Sequence, residues 1–202
     1  MATLREKIES LLNNLSEELL RGYGCWRIAE EIRLAREGGH VAGTARFFAT
    51  VREACMREAY LSLAKLGIAE GESITIEYLL NVASRVPSRS FPRGSREEID
   101  RSVAAHRGQL EQLAPVIDDL KMRRDRILAH LDRKHINEPG VVAPESMETQ
   151  QVEACFAVFL GILNTYRGYF GSGELSFERV EEELRAQVGY IVQRLGGDQG
   201  PG

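Results

Sequence analysis

Along most of this chain apolar residues return at every third or fourth position, and period-two alternation is scarce, which predicts an all-α protein. Leu4, Ile8, Leu11, Leu12, Leu15 and Leu19 mark a first helix that should close near Gly22 and Gly24. A second, short helix is expected over residues 26–36, ended by Gly38 and Gly39. A longer one runs over about residues 44–66, with Phe47, Phe48, Val51, Cys55, Ala59, Leu63 and Leu66 on related faces and Gly67 as its stop. Thr75 is placed to cap a shorter helix through Tyr78 and Val82, after which Pro87, Pro92 and Gly94 enforce an irregular loop. Ser95 and Glu98 have the spacing of a capping box, and Pro115 suits the first turn of the next helix, expected to reach Lys134. Asn137, Pro139, Gly140 and Pro144 then break the pattern. Ser146 opens a helix to about Tyr169, and Ser176 caps a last one through Ile191. The β-flavoured stretch at residues 73–76 is too short for a sheet. With no internal repeat and no dividing linker, the simplest organisation is one helical domain over 1–195, its core at about 44–192, extra helices before it, and a disordered tail at 196–202.

Composition narrows the possibilities. A 202-residue chain that is 43% hydrophobic and 28% charged can bury a sizeable core, which excludes global disorder. Cys25, Cys55 and Cys155 show no paired spacing and read as reduced, packed thiols. The first residues carry no apolar signal core, and the longest apolar run, residues 154–163, is too short for a membrane span. A cytoplasmic protein without membrane contact is therefore expected. The net charge of −4 argues against general coating of nucleic acid, so any such contact must be local. Two basic patches stand out. Residues 84–96 hold Arg85, Arg89, Arg93 and Arg96 without an acid, and residues 121–135 hold six Lys/Arg against Asp125 and Asp132. No HExxH, Cys/His cluster, GxGxxG or P-loop pattern is present, so neither a metal nor an organic cofactor is expected.

The helix from Pro115 is unusual. On a wheel started at Val116, the residues Val116, Ile117, Leu120, Ile127, Leu128 and Leu131 fill an arc of roughly 0° to 120°, a normal core stripe. Arg124 falls at roughly 80°, near the middle of it. A guanidinium there cannot shed its charge, so it requires a partner from another helix, a second subunit or a ligand, because Asp125 and Asp132 lie on the opposite side. Glu53 and Glu58 are candidate partners. His130 borders the same stripe beside Arg123 and Lys134, whose charges bias its imidazole toward the neutral state that a general base needs. His106 and His135 read as surface residues.

The order Arg124, Asp125, four further residues, His130 resembles the RNA-cleavage motif of the HEPN superfamily. The continuation through Asp132 and its following basic residues, with the upstream stretch 47–85, resembles the AbiU-like branch more narrowly. The resemblance implies a metal-independent endoribonuclease of the toxin or phage-defence type. It implies RNA as substrate, a homodimer with both motifs in one cleft, and a cognate antitoxin as partner. In that reading His130 assists attack of the ribose 2′-hydroxyl on the adjacent phosphodiester to give a 2′,3′-cyclic phosphate, Arg124 stabilises the transition-state charge, and Asp125 orients either side chain. Arg123, Arg126, Arg133 and Lys134, with Arg89 and Arg93 of the other patch, would hold the RNA backbone. Which of Arg123, Arg124 and Arg126 serves the site stays open. Two further readings compete with catalysis: the same helix as a non-catalytic dimer or partner interface, and a regulator that holds a nucleotide phosphate without cleaving it.

Overall fold

Leu19, Tyr23 and Trp26 are all buried, and the first helix runs straight through the two glycines that were expected to close it. The computed structural model describes residues 3–40, 44–71, 73–129 and 147–196, and among these it contains α-helices and no strand. They are α1 (Leu4–Glu37), α2 (Ala45–Gly67), α3 (Ile76–Arg85), α4 (Arg96–Gln112), α5 (Ala114–Ala129), α6 (Thr149–Phe170) and α7 (Glu178–Gly196), with a short 3-10 turn at Ser88–Ser90. Each interior glycine costs α1 about 1 kcal/mol against alanine. A buried large apolar side chain returns about 1.5–3 kcal/mol, so the flanking burial wins and the two expected N-terminal helices are one.

The chain divides into two compact units. The first comprises Met1–Leu19 and Leu61–Leu175, and its spine is α6. Val152, Cys155, Phe156, Phe159, Ile162, Leu163, Tyr166 and Phe170 of that helix are all buried. Around it lie the apolar faces of α1 (Ile8, Leu12, Leu15), α3 (Ile76, Leu79, Leu80) and α4 (Ile99, Val103). α4 touches α3, α5 and α6. His106 continues the buried face of α4, three residues after Val103, with Nδ1 3.3 Å from the Tyr166 hydroxyl. It is therefore a core residue rather than the surface residue expected, and burial pushes its imidazole toward the neutral form.

The second unit comprises Leu20–Tyr60 and Ser176–Gly202. Ile32, Phe48 and Val192 form its cluster, with Ile28, Val51 and Val188 packed around them. Tyr23 stacks on Phe177 at 3.7 Å between ring centroids and donates a short hydrogen bond to Glu181. Cys25 and Cys55 also meet in this unit, half-buried and hydrogen-bonded to one another; only Cys155 is fully in a core.

The Thr75 and Ser95 caps read from sequence are in place, whereas α6 starts from Glu148 without a side-chain cap and Ser146 lies outside the described residues. Thr75 accepts from the Tyr78 N–H, and Ser95 and Glu98 form the reciprocal capping box. Gly67 ends α2 where a Cβ would stand 3.2 Å from Phe159 and 3.5 Å from Ile117, which explains the residue there. Among the described residues no helix is long and apolar enough to cross a membrane.

Candidate functional site

The site is built on α5. Leu120 is fully buried and Arg123 nearly so, whereas Val116, Ile117 and Arg124 are only half-buried. The inward direction of α5 is therefore rotated from the predicted stripe toward Arg123, and Arg124 stands at its edge. Arg123 is satisfied within its own helix, its Nε donating to Asp119 at 2.9 Å one turn back. Arg124 faces a cleft of about 400 Å³ whose walls include Asn14 and Glu18 of α1, Lys65 of α2, and Ser73 and Ile74 ahead of α3. Its side chain retains 19% exposure.

Two acids hold the Arg124 guanidinium. Glu70 meets it fork to fork, with Nη1 3.0 Å from Oε2 and Nη2 donating to Oε1 at 3.2 Å. Asp125 accepts from Nε at 2.9 Å and from Nη2 at 2.7 Å. Asp125 was expected on the opposite side of the helix, but its short side chain and the long, bending arginine close the angle between neighbours. Glu53 and Glu58, the partners considered from sequence, are taken by Arg57 and Arg21. Lys121, one turn before Arg124, puts Nζ 3.0 Å from Glu70 Oε1. Claimed by two cations, Glu70 is held below the usual carboxylate range, first by the hydrogen bond from Arg124 and then by that from Lys121.

Glu70 is presented by a tight turn directly after α2. Its N–H donates to Ser73 Oγ at 3.0 Å, its carbonyl accepts from the Ser73 N–H at 3.1 Å, and Gly71 takes φ +57° to let the chain reverse. A family model, HEPN_AbiU2, described as AbiU2, matches residues 5–190. The chain belongs to the HEPN AbiU2 family. No curated protein and no solved structure matches it.

In this AbiU2 family member the residues singled out from sequence fall into separate places. Arg124 and Asp125 are brought together; Arg123 turns to Asp119 instead. Arg126 lies on α5 with its side chain outside the described residues, and His130, Arg133 and Lys134 lie outside them altogether. Arg89 is exposed in the 3-10 turn. Arg93 lays its guanidinium over Gly171, the left-handed cap of α6, where its charge meets the negative end of a helix. Arg96 is structural: it donates to the carbonyls of Ala83, Ser84 and Val86 and pairs with Asp100. The residues missed from sequence are Glu70 and Lys121. Lys121 was legible, three residues before Arg124 on the same helix. Glu70 lies far back in the chain, and its one local signal is the Gly71 turn. Among the described residues no group of His, Cys, Asp and Glu is placed to hold a metal ion.

Proposed function

We propose that this AbiU2 family protein is a metal-independent endoribonuclease acting as a toxin or abortive-infection effector. The observation that carries the reading is Arg124: a permanent cation at the rim of an open cleft, whose acidic partners are themselves about half in solvent and so exchange for a phosphate. In the reaction His130 takes the proton of a ribose 2′-hydroxyl and the freed oxygen attacks the adjacent phosphorus. The 5′-oxygen then leaves, taking a proton from water while the imidazolium returns its own to solvent, giving a 2′,3′-cyclic phosphate and a 5′-hydroxyl end. Arg124 stabilises the extra charge on the phosphoryl oxygens, and Asp125 fixes the plane of its guanidinium. On an ideal helix Arg124 and His130 diverge by about 120°, so a homodimer supplying two copies to one cleft completes the constellation. A cognate antitoxin would be the partner that holds the activity in check.

The test is cleavage of RNA in EDTA with end-group analysis, comparing the parent with Arg124→Ala and His130→Ala. Cyclic phosphate ends that disappear with either variant are expected. Intact RNA from a folded, dimeric protein across varied substrates would overturn the reading.

The Glu70 clamp favours a second reading, in which Arg124 is a structural tie between α5 and the turn after α2 within a non-catalytic interaction module. That reading expects every substitution at Arg124, Glu70 and His130 to leave RNA and the cellular effect untouched while altering only stability.

A further inference from the structure

A second cavity, of about 780 Å³, opens beside the Arg124 cleft and shares Asn14, Ser73 and Ile74 with it. One wall is α1, including Lys7; the other is Ile74 followed by Tyr78 and Val82 of α3. The spacing of α3 sets this up. Ile76, Leu79, Leu80 and Ala83 face the core, whereas Tyr78, Val82 and Arg85 follow one another at four and three residues along the other face. Ile74 and Tyr78 remain 49% and 48% exposed, an unusual allowance for a large apolar residue and an aromatic ring side by side. Arg85, at the end of the helix, and Arg89, in the turn beyond it, are exposed and have no ion pair among the described residues. Arg107 and Arg96 nearby are both tied to acids.

Arg124 and Lys121 therefore stand at one end of a groove and Arg85 and Arg89 at the other, with α3 between them, about 15 Å long. An exposed tyrosine sits midway. We infer that this groove along α3 is a track for single-stranded RNA, in which Tyr78 stacks a base and Arg85 and Arg89 hold backbone phosphates of the strand engaged at Arg124. The inference rests on the ribonuclease reading. Two cationic ends joined by an aromatic platform suit a single strand, whose bases are free to stack, rather than a duplex, whose bases are already stacked. An apolar helix from another protein would leave Arg85 and Arg89 without partners. Glu6 also lines the groove but is turned to its own helix end, where it accepts from the Thr3 N–H at 2.6 Å.

The experiment uses the full chain and a fluorescent single-stranded 2′-O-methyl RNA, which cannot be cleaved through its blocked 2′-oxygen, with binding read by anisotropy over a salt series. Tyr78→Ala should weaken binding roughly ten-fold and Tyr78→Phe should restore it, because stacking needs the ring alone. The double change Arg85→Ala with Arg89→Ala should flatten the dependence of log K on log salt by about 0.7 for each phosphate that the protein ceases to neutralise. If the parent binds and cleaves RNA while all these variants bind like it, the groove inference falls and the ribonuclease reading stands. A parent that neither binds nor cleaves overturns both. If Tyr78→Ala instead separates a dimer, seen by sedimentation, with RNA affinity unchanged, the groove is a self-association surface and the inference is wrong.

Discussion

The Arg124 guanidinium and the Glu70 carboxylate meet at two points, 3.0 and 3.2 Å apart, across 54 residues of chain. Lys121 takes the same carboxylate at 3.0 Å. A single acid thus occupies the cation pair that an RNA phosphate would need. Glu70 keeps 46% exposure, so water and salt screen the pair and a competing anion can displace it.

On the ribonuclease proposal, replacing the clamp should therefore help RNA to bind. Glu70→Gln is expected to raise RNA affinity, and cleavage at sub-saturating RNA, by roughly two- to five-fold, the scale of a screened ion pair. The thermal midpoint should fall slightly, on the scale of one exposed ion pair. Initial rates at several RNA concentrations check this; an unchanged rate with a lowered midpoint supports the structural tie instead.

The clamp has a pH signature. Because the Glu70 carboxyl is held below its ordinary value of 4.5 when folded, the folded state binds that proton less readily than the unfolded chain. Its contribution to stability is complete above the ordinary value and is lost as pH falls through the lower folded one. The stability difference between parent and Glu70→Gln should be flat from neutrality down to about pH 5 and should shrink below 4.5. Paired thermal melts at stepped pH measure it, and a difference that instead vanishes near pH 7 would contradict the assignment.

Gly71 has open space around its missing Cβ, so substitution there carries backbone strain without a clash. Gly71→Ala should cost about 1–2 kcal/mol for the left-handed conformation. By loosening the turn that presents Glu70, it should also reproduce part of the gain in RNA affinity expected for Glu70→Gln. Denaturant melts and the same RNA titration measure the two effects, and lower stability with unchanged RNA affinity would uncouple the turn from the site.

The three thiols should be sluggish. Burial raises Cys25, pushes Cys55 up to about 11 and Cys155 up to about 12, so little thiolate is present at pH 7. Alkylation of the native protein at that pH should run well below the rate for a free cysteine and recover in urea, with Cys155 last to react. Peptide mass mapping after timed alkylation gives the order.

What the sequence discloses here is set by range. Thr75, Ser95 with Glu98, and the Gly67 stop were legible because a cap is decided within a few residues of itself. Gly22 and Gly24 do not end the helix because the burial of Tyr23 and Trp26 outweighs them, and Tyr23 is covered by Phe177, far along the chain. The wheel of α5 put Arg124 in the buried stripe, whereas Arg123, paired with Asp119, is the buried arginine and Arg124 reaches out to its acids. Its requirement that Arg124 find a charge partner elsewhere was met by Glu70, a residue no local pattern nominates. Asp125 was placed from an ideal helix, whose angles ignore how far an arginine side chain can bend. His130, the other half of the motif, lies outside the described residues.

Arg96 also changes how the elbow between α3 and α4 should behave toward a protease. Its guanidinium is hooked over three carbonyls at the end of α3, Phe91 is sunk into the interior, and the Arg93 N–H is held by Tyr169. A stretch offering trypsin Arg85, Arg89 and Arg93 in quick succession is thereby denied the extended shape that the enzyme must thread through its cleft. Nicking there should follow the opening of the fold rather than precede it.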